Sequence, residues 1–197
     1  MRIYPKVSFK YSSVYNRRCR EDWLRKDKKG YPSERRILNY IKKAEKLWRK
    51  KEKEILKEIS RTTKLKWREK SINCYLVGRV RPFSLPLTMP IFEREANDFI
   101  DVLTHELIHN IFAQNQKYLK KAWNFFNRKY KKESRVTRIH ILVHAVHSHI
   151  YMKFFREKRL KRNVKRLIFR QDYKRAWDIV QKQGYHSIID EFVKMVR

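Results

Sequence analysis

Residues 101–115 read DVLTHELIHNIFAQN, and the local structure of this stretch sets the terms for the rest of the chain. Leu103, Leu107, Ile108, Ile111 and Phe112 recur at helical spacing. Asn97 or Asp98 is placed to cap the helix, and Asp98 with Asp101 puts acidic groups near its start, where the helix dipole favours them. A helix therefore carries HELIH at 105–109. On it His105 and His109, four residues apart, leave the same face one turn apart and can grip one metal ion. Glu106 lies about 100° round from His105. That places it for a water beside the metal rather than for the metal itself, as a general base requires.

A catalytic zinc takes three protein ligands and keeps one position open for water. The chain lacks the extension HExxHxxGxxH, in which a third histidine follows on the same segment; Asn115 stands where that histidine would be. The ligand is expected from further along. Between Ile139 and Met152 a strongly apolar helix, expected over about 134–155, carries His140, His144, His147, His149 and Ser148 as nearly its only polar residues. Imidazoles within an apolar helix cost free energy unless bonded or liganded. His140, His144 and His147 share one flank of that helix, so each is a candidate.

The HELIH motif resembles that of the zincin metallopeptidases, in particular the gluzincin-like group, in which a separate downstream helix completes the ligand set. The resemblance covers about residues 33–155. Gluzincins typically use Glu as third ligand, often followed by Ala; His144-Ala145 is the nearest match here, which makes His144 the first choice, His140 the second and His147 the third. A histidine in place of that glutamate is similar to the SprT-like proteases, which use three histidines and act on proteins bound to DNA. The resemblance implies Zn2+ as cofactor, peptide-bond hydrolysis with Glu106 as catalytic base, a protein or peptide substrate, and a zincin-like core.

Outward from the motif, Ser33 is a plausible N-cap for a long amphipathic helix over roughly 33–60, with Ile37, Leu38, Ile41, Ala44, Leu47, Trp48, Ile55, Leu56 and Ile59 on its apolar face. Ile72, Cys74, Leu76, Val77 and Val80 suggest one or two strands interrupted by Gly78. Pro82, Pro86 and Pro90 exclude a central strand through RPFSLPLTMPIF and leave an edge strand or an extended loop. A basic helix is expected over about 116–131, another near 172–183 stopped by Gly184, and a last one carrying Ile188, Ile189, Phe192 and Val193. The expected fold is α+β and predominantly helical: a basic N-terminal arm over 1–32, a catalytic core with a small sheet over 33–155, and a basic helical extension over 156–197.

The 197 residues carry a formal charge of +31. Residues 1–70 hold 25 Lys and Arg against 9 Asp and Glu, residues 71–115 hold 3 against 5, and residues 116–197 hold 23 against 6. Strongly basic segments thus flank a near-neutral one that contains the motif. Thermal adaptation alone leaves this unexplained, because heat-adapted surfaces pair both signs. A surface so basic attracts polyanions, so non-specific nucleic-acid binding by the flanks is expected; the alternative is a nucleic-acid-binding protein whose zinc site is structural or degenerate. The five tryptophans are expected in or near the core rather than as base platforms. Cys19 and Cys74 lack CxxC spacing and are expected as free thiols. No stretch has the roughly 18 apolar residues of a membrane span and the start lacks a secretory core, so the expectation is a soluble, cytoplasmic protein with no membrane partner.

Overall fold

The computed structural model describes residues 4–26, 29–92, 96–167 and 170–196. They form a predominantly helical α+β fold with one small mixed sheet. Strands β1 (Lys6–Lys10), β2 (Ser71–Val77), β3 (Phe83–Ser84) and β4 (Leu87–Pro90) lie in the order β1-β2-β4-β3. Helices α1 (Ser13–Leu24), α2 (Glu34–Arg49) and α3 (Glu52–Thr63) precede β2, and α4 (Ala96–Gln114) follows β4. Then come α5 (Lys120–Lys129), α6 (Arg135–Phe154), α7 (Glu157–Leu167), α8 (Gln171–Gln183) and α9 (Tyr185–Val196). The chain divides into two compact units, residues 1–56 with 69–110 and residues 57–68 with 111–197; two of the three divisions fall within α3 and α4, the other between α3 and β2.

The first unit contains the sheet. β1 and β4 both run parallel to β2, with Val7 opposite Ile72 and Leu76 opposite Met89, while β3 pairs antiparallel with β4. Along β2, Ile72, Cys74 and Leu76 are buried and Ser71 and Asn73 exposed, as the two-residue side-chain period requires. α2 packs on β1 and β2, burying Ile37, Ala44 and Trp48. Phe99 of α4 sits among the rings of Phe9, Tyr40 and Phe92 at centroid distances of 5.7, 6.0 and 6.4 Å.

Several expectations change here. The stretch over 1–32, expected as an irregular arm with room for short elements, supplies β1 and α1, which its sequence does not place; its mixed aromatic and basic residues hide the strand because β1 is an edge of only five residues. The long helix over 33–60 is two helices broken at Lys50-Lys51. Glu52 at the break accepts the Val7 amide at 2.8 Å and the Arg49 guanidinium at 2.6 Å, which ties the corner to the sheet. The proline-spaced run holds an inner strand, β4, contrary to the edge-strand expectation. It tolerates this because Pro86 and Pro90 bracket three residues and Pro90 closes the strand, so no missing amide interrupts the ladder. α4 begins at Ala96, so Asn97 and Asp98 lie in its first turn and do not precede it as caps. The residues just before Ala96 lie outside the described ones.

The second unit is helical and built on α6, against which α7, α8 and α9 pack. From His140 to Ser148 every residue of α6 is buried, which accounts for its apolar sequence. Ala176, Trp177, Ile179 and Val180 of α8 and Ile188, Ile189 and Phe192 of α9 complete this core. Gly184, at a φ of 80°, makes the turn between those helices. Trp48 and Trp177 are core residues and the other three tryptophans are half-buried. Both cysteines are free thiols. Among the described residues no helix is long and apolar enough to cross a membrane.

Candidate metal centre

The motif helix is held at two points C-terminal to HELIH. One residue beyond it, Asn110 donates from Nδ2 to the Ser84 carbonyl oxygen at 3.2 Å, fixing that turn of α4 on β3. Asn115, buried, closes the helix: its Nδ2 donates to the carbonyl oxygens of Ile111 at 2.8 Å and Lys66 at 2.9 Å, and its Oδ1 accepts from Arg68 Nε at 3.2 Å. The position that would carry a third histidine in the extended motif thus serves as a helix terminus.

His105 and Glu106 are buried and His109 is half-buried. The Nε2 atoms of His105 and His109 stand 3.2 Å apart, with ring centroids at 4.9 Å and planes at 69°. Two nitrogens bound to one tetrahedral zinc at about 2.0–2.1 Å lie about 3.3 Å apart. The side chains therefore already present their nitrogens at the spacing that such an ion needs.

One nitrogen each from His105, His109 and His140 lie within 4.8 Å of one another, and this group could hold a metal ion. His140 rather than His144 joins the motif pair. Its Nδ1–H donates to the Val136 carbonyl oxygen at 2.8 Å, which fixes the tautomer and leaves the lone pair on Nε2. Burial pushes the His140 imidazole below its usual range, only partly opposed by the Val136 carbonyl and Asp172. The neutral form is the one a metal binds.

α8 sets an aromatic ring against each of the first two histidines of α6. Tyr173 and Trp177 are four residues apart on it, as His140 and His144 are on α6. The Tyr173 ring lies 4.1 Å from that of His140, and Trp177 stacks on His144 at 4.2 Å with planes 12° apart. His144 is fully buried in this stack, and His147 is buried beside the Tyr151 ring at 4.7 Å. His149 donates from Nε2 to Glu58 Oε1 at 2.7 Å. The start of α6 is fastened to α8 as well: Ser134 caps the Thr137 amide at 3.0 Å, and Thr137 donates to Asp172 Oδ1 at 3.1 Å.

Sequence reasoning missed Val136, Asp172, Tyr173 and Trp177 as supports of this site. The one available signal was the shared four-residue spacing of the two aromatic residues and the two histidines. Comparison with models of protein families, with curated proteins and with solved structures gives no match.

Proposed function

We propose that the protein is a zinc-dependent metallopeptidase with His105, His109 and His140 as metal ligands and Glu106 as catalytic base. The observation that carries this reading is the gathering of His140, thirty-one residues downstream, with the two histidines of an HExxH helix. Three imidazoles suit zinc among the first-row metals, and a three-ligand set leaves the open position that distinguishes catalytic from structural zinc. Bound there, zinc would lower the pKa of a water and polarise a carbonyl. Glu106 takes the proton of the attacking water and returns it to the leaving amine, which a carboxylate beside the motif histidines is suited to do. The Val136 carbonyl holds His140 in its ligating tautomer and orientation.

The basic flanks suggest where such an activity is used. With +31 of formal charge, the protein is drawn to nucleic acid, so charge would supply location and zinc the chemistry.

The deciding experiment is elemental analysis of purified protein together with hydrolysis of an unstructured protein such as casein, with and without a chelator. The expected result is one zinc per chain and cleavage that stops on chelation and returns with zinc. Protein that carries no zinc after zinc is supplied, or cleavage indifferent to chelation, overturns the reading.

A further inference from the structure

A second site, independent of the histidines, lies in the first unit. A cavity of about 560 Å³ opens between α1 and the segment leading into α2, lined among others by Tyr11, Asn16, Arg17, Arg20, Tyr31 and Glu34. That volume lies within the range of small-molecule pockets, roughly 300–1,000 Å³, and far exceeds what a bare anion fills.

The cavity is built on a polar network that fixes its walls. Asn16 is buried, 8% exposed, and occupied on both ends of its amide. Its Oδ1 accepts from the Tyr31 hydroxyl at 2.7 Å and from the Gly78 amide at 3.1 Å, and its Nδ2 donates to the Tyr11 hydroxyl at 3.3 Å. Gly78 permits this arrangement, because a Cβ there would stand 2.6 Å from the Tyr31 ring. Both tyrosine rings are thereby held in place, and fixed walls reduce the ordering cost of binding.

Against these walls stand two cations. Arg17 and Arg20 are three residues apart on one face of α1 and exposed; among the described residues neither is in an ion pair. Neighbouring cations differ: on the same helix Arg18 pairs with Glu21, and just past its end Arg25 pairs with Asp22. Guanidinium groups bind phosphate through paired, charge-assisted hydrogen bonds. The tyrosines offer flat aromatic surface to a planar ring, and the Glu34 carboxylate offers acceptors to hydroxyl or amino groups. Two cations, one carboxylate and two rings in such a volume match phosphate, sugar and base together better than any one of them.

We propose that this cavity binds a nucleoside monophosphate, free or as the 5′-phosphorylated end of a strand, with the phosphate on Arg17 and Arg20 and the base on the tyrosine wall. The test is calorimetric titration of the full chain with AMP, adenosine, inorganic phosphate and a short oligonucleotide with and without a 5′-phosphate. AMP is expected to bind saturably at one site per chain, at least tenfold more tightly than adenosine or phosphate alone. The oligonucleotide arms separate the two sources of the ligand: a clear gain from the 5′-phosphate assigns the site to strand ends, and no gain assigns it to free nucleotide. The R17Q/R20Q double variant, made at exposed positions, should lose at least tenfold in AMP affinity with its melting temperature unchanged. R18Q removes a charge from the same helix outside the cavity and should change AMP affinity by less than twofold. Chelator-treated protein should bind AMP as before, so failure of the zinc reading leaves this result intact. Absence of saturable AMP binding, equal losses in R18Q and R17Q/R20Q, or phosphate binding as tightly as AMP each overturns the proposal.

Discussion

His140, His144 and His147 stand four and three residues apart on one helix, so their spacing alone offers three candidates for one role. HELIH was legible because its pattern is local: two histidines and a glutamate within five residues of one helix. His140 was not singled out, because its grouping with the motif pair depends on contacts between residues distant in sequence, and nothing near 140 in the sequence reports that. With His144 stacked on Trp177 and His140 grouped with the motif pair, the two His→Ala variants should differ in kind. His140→Ala should be folded and free of zinc. His144→Ala should retain stoichiometric zinc and lose roughly 1–3 kcal/mol of stability to the emptied core position. Zinc content measured on the folded fraction of each checks this, and zinc lost from His144→Ala but kept in His140→Ala would return the role to His144. Glu106→Gln should keep its zinc while kcat falls by about 10²- to 10⁴-fold, the usual share of a general base. Undiminished turnover by that variant would remove Glu106 from the chemistry.

At the scale of elements, the sequence was most informative where periodicity was strong and burial one-sided. α6 follows its pattern to within a residue of each end, and β2 does so at its start but stops at Val77, short of Val80. It was least informative where contacts distant in sequence decide the outcome, as at the Lys50-Lys51 break pinned by Glu52, or in β4, whose inner place depends on a two-residue partner strand. The join of α3 to α6 is a further contact of that kind. Glu58 of α3, buried, accepts from Arg61 Nε at 3.0 Å, from His149 Nε2 at 2.7 Å and from Lys153 Nζ at 2.7 Å. Burial by itself pushes the Glu58 carboxyl up, but hydrogen bonds from Arg61, Lys153 and His149 outweigh it and hold the carboxyl well below its usual range. A folded-state pKa below the unfolded value, about 4.3, gives stability that is complete above that value and is lost as pH falls through the folded one. Glu58→Gln should therefore cost roughly 1–3 kcal/mol at neutral pH, the scale of lost charge-assisted hydrogen bonds when the cations left behind, Arg61 and Lys153, still reach solvent. It should also flatten the acid limb of the stability curve below about pH 4. Denaturant titrations at pH 7 and under acid conditions test both; a variant with an unchanged acid limb would show that Glu58 does not govern it.

Over the whole molecule the dominant quantity is charge, and its physical consequence is separable from the zinc chemistry. α7 carries Lys158, Arg159, Lys161, Arg162, Lys165 and Arg166 with Glu157 as its one acidic residue. Glu157 engages Lys161 at 2.8 Å, and the Arg159 guanidinium lies over the Phe155 ring at 4.0 Å. Arg156, Lys158, Lys161 and Lys165 are exposed. Cations that neutralise phosphates release counterions, so log K should fall linearly with log salt, by about 0.9 per duplex phosphate contacted. Duplex DNA or RNA should bind without sequence preference at low salt and be released steeply as salt rises. Replacing those four exposed cations with Gln should reduce the slope by up to about 3.6 if each contacts a phosphate, while zinc content and chelator-sensitive cleavage of a free peptide stay unchanged. Because a surface pair such as Lys161 with Glu157 contributes at most about 1 kcal/mol, the same variant should unfold within a few degrees of the original protein, so lost binding reports lost charge rather than lost fold. Binding that is absent at low salt, or indifferent to salt, would leave the positive flanks without a nucleic-acid role, and the location of the proposed peptidase would then have to come from its protein substrate alone.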